Sequence, residues 1–85
     1  MNKKQIFSEV LTIIKPYVKN EDTLKSAVDS TRFIGDLKIN SARLVDIIID
    51  FEDKFEVTIS DDEAELIQTV GDAVALIEKL LKHSK

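Results

Sequence analysis

The chain has 85 residues, enough for one core, and its lack of cysteine excludes disulfides, thiolate metal sites and a cysteine nucleophile. A net charge of −4, from 16 acidic against 12 basic residues, argues against nucleic acid as a ligand, because phosphates need a positive surface. No apolar run is long enough to cross a bilayer, so membrane insertion is not expected. Met1-Asn2-Lys3-Lys4-Gln5 does not lead into a secretory segment, and the expected location is cytoplasmic.

The first helix is expected over Lys3 to Val18. Asn2 and Gln5 have capping-box spacing. Phe7, Val10, Leu11, Ile14 and Val18 recur at helical spacing, widened by Ile6, Ile13 and Tyr17. Pro16 cannot donate to the carbonyl of Thr12, so the last turn should kink or the helix should end early. A long connection, residues 19–39, follows. Asp22 to Val28 could form a short helical turn, and Gly35 marks a turn. Phe33, Ile34, Leu37 and Ile39 are expected to dip into the core, which argues against disorder.

Asn40 is a natural N-cap for a second helix, Ser41 to Phe55, that buries Leu44, Ile47, Ile48, Phe51 and Phe55. Ser60 and Glu63 form a second capping box, starting a short third helix that ends near Ile67. A fourth helix opens at Thr69, with Asp72 three residues on, and buries Val70, Ala73, Val74, Ile77, Leu80 and Leu81. Lys79, Lys82 and Lys85 suit its negative end. With no strand signal, the expected fold is all-α: one domain, residues 1–85, built as a four-helix bundle with a short third helix and a long first loop.

From Asp46 to Glu78, Lys54 is the only base. Such an acidic stretch would attract a basic partner, and it would equally keep a small domain soluble. On the second helix, Ala42, Val45 and Ile49 fall away from the core face and are bordered by Asp46, Glu52 and Asp53. This strip reads either as a docking surface with an apolar centre and acidic rim, or as a face covered by the long first loop. Ser41, beside it, reads either as a capping residue or as a hydroxyl placed to carry a phosphodiester, since helix N-termini favour anions through the dipole and unpaired N–H groups.

The run Gly35-Asp36-Leu37-Lys38-Ile39-Asn40-Ser41-Ala42-Arg43-Leu44-Val45-Asp46, continuing to Phe51-Glu52-Asp53-Lys54-Phe55, resembles the acyl carrier protein family. So does the stretch Val57 to Val74, with Thr69-Val70 opening the last helix. The resemblance reaches from the first helix to Ile77. It implies that Ser41 receives 4'-phosphopantetheine covalently from coenzyme A, and that the arm's thiol holds an acyl group as a thioester. It implies a phosphopantetheinyl transferase (holo synthase) and acyl-handling enzymes with basic docking faces as partners. Ala42, Val45, Asp46, Ile49, Glu52 and Asp53 match the family's docking positions. The family's acyl chains can fold back between the helices, which implies an expandable pocket in the core.

Three departures mark this chain. Asn40 stands where the family has aspartate, and Ala42 where it has leucine; Arg43 adds a positive charge where an acid is frequent. A specialised carrier of a dedicated fatty-acid, lipid or secondary-metabolite pathway follows, expected as a monomer. The alternative is an unmodified carrier-like adaptor that binds a partner through the second helix. No catalytic residue is assigned. His83, the only histidine, falls in the C-terminal tail, and Asp61, Asp62 and Glu63 suit a helix's first turn better than acid/base work. No metal site is assigned either, because the acids lack the spacing and glycine turn of a calcium loop.

Overall fold

The computed structural model describes residues 2–83. Helix α1 spans Lys3–Ile14. Its capping box closes in both directions: Asn2 Oδ1 accepts the Gln5 N–H at 2.9 Å, and Gln5 Oε1 accepts the Asn2 N–H at 3.0 Å. The α-helix stops before Val18 because Pro16 has no N–H to continue it, and Lys15–Tyr17 tighten into a 3-10 turn. The buried line runs along Ile6, Val10 and Ile14, while Phe7, Leu11, Ile13 and Tyr17 are half-buried shoulders. The stripe is thus rotated from the one expected on Phe7 and Leu11. The cause is tertiary: α1 packs against two other helices, and its mid-line faces both.

A short helix, α2, spans Glu21–Lys25, with Asn20 capping the Asp22 N–H at 2.9 Å. The rest of the long connection is tied to the start of the last helix. Phe33 N–H donates to the Gln68 carbonyl at 3.0 Å, Val70 N–H to Thr31 at 2.9 Å and Gly71 N–H to Asp29 at 2.8 Å. Arg32 and Thr69 pair as an isolated antiparallel bridge. Gly71 is required there, since a Cβ would meet the Asp29 carbonyl oxygen at 2.9 Å. Phe33, Leu37 and Ile39 are buried as expected. Ile34 is not: it is 49% exposed. In the turn closed by Leu37 N–H on the Arg32 carbonyl, Phe33 and Leu37 point inward and Ile34 is left on the outside.

Helix α3 spans Leu44–Phe55 and buries Ile47, Phe51 and Phe55, with Leu44 and Ile48 half-buried. It ends on Glu56, which takes the left-handed conformation (φ 54, ψ 49) usually given to glycine. Helix α4 spans Asp61–Glu65 behind the expected Ser60–Glu63 capping box. It is shorter than expected because Leu66 and Ile67 donate to carbonyls only three residues back, which tightens the last turn. Helix α5 spans Val70–His83. Thr69 and Asp72 cap each other: Thr69 Oγ1 accepts the Asp72 N–H, and Asp72 Oδ2 accepts the Thr69 N–H, both at 3.1 Å. Val70, Ala73, Val74 and Ile77 enter the core, and Leu80 and Leu81 are half-buried. The side chain of His83 and all of Lys85 lie outside the described residues. Residues from α1, α3, α5 and the long connection share one apolar core around the fully buried Phe33 and Phe51. The architecture is an all-α bundle.

Candidate functional site

Ser41 stands at the head of α3 but not inside it. Ser41–Arg43 form a 3-10 turn, and the α-helix begins three residues later than the sequence pattern suggests. Asn40 causes this. Its Oδ1 accepts the Ala42 N–H at 2.9 Å and its carbonyl accepts the Arg43 N–H at 2.8 Å, which closes a tighter loop than an α-turn. The Leu44 N–H donates to the Ser41 carbonyl. The amides of Ala42, Arg43 and Leu44 are therefore paired within the turn. The helix dipole, rather than these amides, is what this end offers an anion, and the Arg43 guanidinium is turned to Asp46. Ser41 is exposed, and its hydroxyl makes no hydrogen bond among the described residues. A capping serine would spend its oxygen on the helix start, and Asn40 performs that task instead.

The outer face of α3 is open. Val45 is 65% exposed and Ile49 48%, so the long first loop does not cover them. Ala42 and Asp53 are also exposed, and Asp46 and Glu52 lie partly open. The acids on and around this strip differ in what they hold. Asp46 Oδ2 takes the Arg43 guanidinium at 3.3 Å. Glu52 Oε2 accepts the Ile59 N–H at 2.8 Å, and Asp50 Oδ2 accepts the Tyr17 hydroxyl at 2.8 Å. That bond, with slight burial and the Asp50 and Asp46 charges, holds the Tyr17 phenol above the ordinary value of 10.0. Lys54 turns to Glu9 of α1 at 3.1 Å. Beside the turn that leads to the site, the Arg32 backbone N–H and then its guanidinium hold the Asp36 carboxyl below 3.8.

Behind the strip, a cleft of about 330 Å³ opens between α3 and α4. Leu44 and Val45 stand at the Ser41 end of its wall, Phe33 and Phe51 line it from the core, and Ile59 and Ala64 close the opposite side. The sequence pattern misses two features here. Leu66, just past α4, is 74% exposed, and Ala64 faces the cleft. A five-residue helix has too few positions for periodicity to separate inward from outward.

Residues 4–77 match the family model described as a phosphopantetheine attachment site. The acyl carrier protein of Exiguobacterium sibiricum is 40% identical over 78 residues, covering 92% of this chain and 96% of that one. The acyl carrier protein of Lactobacillus acidophilus is 39% identical over 79 residues, covering 92% and 95%. The chain belongs to the acyl carrier protein family. Solved structures agree in fold: the acyl carrier protein of Enterococcus faecalis superposes with a TM-score of 0.78 at 30% identity, covering 94% of this chain and 99% of that one. The crystal structure of an acyl carrier protein from Thermotoga maritima gives a TM-score of 0.82 at 25% identity, covering all of this chain and 96% of that one.

Membership makes the chain a carrier rather than an enzyme, and the group its family carries is covalent 4'-phosphopantetheine. The residues at the head of α3 fit such a group. A free, exposed hydroxyl stands at the head of the helix, with the apolar cleft starting within one turn of it.

Proposed function

We propose that Ser41 carries the 4'-phosphopantetheine arm, and that the chain delivers acyl intermediates to partner enzymes in a dedicated fatty-acid, lipid or secondary-metabolite pathway. The observation that carries this reading is the free, exposed Ser41 hydroxyl at the head of α3, three residues before Leu44 of the cleft wall. The arm supplies a terminal thiol on which an acyl group rides as a thioester. Asn40 holds the turn so that the Ser41 hydroxyl stays outside the helix's own hydrogen bonding. Apolar walls at Leu44, Phe51 and Ile59 keep water from an acyl chain folded into the cleft. Ala42, Val45 and Ile49 give a partner an apolar contact, Glu52 and Asp53 give it charge, and Asp46 contributes as the partner of Arg43 in an ion pair on the same face. Tethering raises the effective concentration of cargo at each partner without any bond-making chemistry by the chain itself.

The partners in this reading are a phosphopantetheinyl transferase and acyl-handling enzymes that carry basic groups on their docking faces. The chain acts as a monomeric, single-domain cytoplasmic carrier. Among the described residues no helix is long and apolar enough to cross a membrane, which is compatible with that placement. The test is peptide mapping of the chain purified from its own host. The reading predicts an arm on the peptide that contains Ser41. An unmodified chain that co-purifies with a partner, weakened by Val45→Asp, would favour the adaptor instead.

A further inference from the structure

The acidic strip on α3 is electrically polarised along its length. At the Ser41 end, Arg43 and Asp46 form an exposed ion pair at 3.3 Å, so Asp46 brings no net charge to an approaching surface. Asn40, next to Ser41, is neutral and spends its side-chain oxygen on the Ala42 N–H. At the other end, Glu52 and Asp53 keep their charge. Lys54, the base next to Asp53 in sequence, is drawn away to Glu9 at 3.1 Å, and among the described residues Asp53 has no ion pair. Ten residues of helical rise separate Arg43 from Asp53, about 15 Å. The exposed Val45 and Ile49 lie between them.

From this pattern we infer that Arg43 is a partner-selecting residue. The matching partner face has a basic group opposite Glu52 and Asp53 and a neutral polar group opposite the Arg43–Asp46 pair, with an apolar patch between. A docking face that is basic throughout meets the Asp53 end favourably and gains no attraction at the Ser41 end, where the Arg43 guanidinium cancels the Asp46 charge. Charge complementarity of this kind acts mainly on encounter rate and on rejection of wrong partners. The inference rests on the reading of Ser41 as the attachment site.

The test uses the unmodified chain, coenzyme A and a phosphopantetheinyl transferase whose docking face is lysine- and arginine-rich throughout. Loading rates are compared for the native chain, Arg43→Lys, Arg43→Gln and Arg43→Asp, at low and high salt. Melting temperatures verify that each variant folds; Asp in a first turn suits the helix dipole. At low salt kcat/KM should rise about tenfold in Arg43→Asp and about threefold in Arg43→Gln, stay unchanged in Arg43→Lys, and converge at high salt. Equal loading of all four chains, or slower loading of Arg43→Asp, overturns the inference while leaving Ser41 as the site. Failure of every chain to load overturns the Ser41 reading and this inference with it.

Discussion

The carboxylate of Glu52 reaches off α3 to accept the backbone N–H of Ile59 at 2.8 Å, seven residues along the chain. An acid on the proposed docking face thereby fixes the loop after α3, and through Ile59 it fixes one wall of the cleft. Truncation to alanine would strand the amide of Ile59, itself a buried residue. Glu52→Ala should lower stability by about 1–2 kcal/mol in urea unfolding, with Glu52→Gln losing less because an amide oxygen can still accept. An unchanged midpoint in Glu52→Ala would show that the bond contributes nothing.

Tyr17 and Asp50 join the turn after α1 to α3 across 33 residues. Since the folded phenol titrates above 10.0, this bond's contribution is complete below pH 10 and is lost as pH rises through the folded value. Tyr17 is the sole tyrosine and there is no tryptophan, so tyrosinate absorbance reports it alone. The midpoint should lie above 10.0 in the native chain and fall toward it in Asp50→Asn. Equal midpoints would remove the bond from the account.

Glu56 occupies a left-handed backbone position that a side chain makes costly. Glu56→Gly should therefore raise stability by about 0.5–1 kcal/mol, or a few degrees in melting temperature for a domain of this size. A fall would mean that the Glu56 side chain earns its place through contacts in the folded state.

Much of this fold was legible because it is written in local chemistry. The Asn2–Gln5 and Ser60–Glu63 boxes, the Thr69–Asp72 start and the inward Ile47, Phe51 and Phe55 depend on neighbours three or four residues away. What escaped depends on distant partners. The rotation of the α1 stripe comes from packing against two helices, and the exposure of Ile34 from a turn closed by Arg32 and Leu37. At the head of α3, the place of Ser41 in the chain's turn into the helix followed from sequence. The pairing of the first amides within a 3-10 turn did not, because an asparagine cap fits either helix type. The ties made by Glu52 and Lys54 also required the fold, since nothing local pairs them with Ile59 or Glu9.

Ala64 faces the cleft from α4, and a larger side chain there would fill space claimed for cargo. In Ala64→Phe, a medium-length acyl chain on the arm should give a smaller rise in melting temperature over the unacylated form than in the native chain. It should also leave the thioester quicker to hydrolyse. Equal rises and equal hydrolysis rates would place the cargo outside the cleft.

Intact-mass measurement after incubation with coenzyme A and a phosphopantetheinyl transferase goes to the centre of the account. The native chain should gain the mass of one arm and Ser41→Ala none. A native chain that stays unmodified, or an arm that still appears on Ser41→Ala, would contradict it.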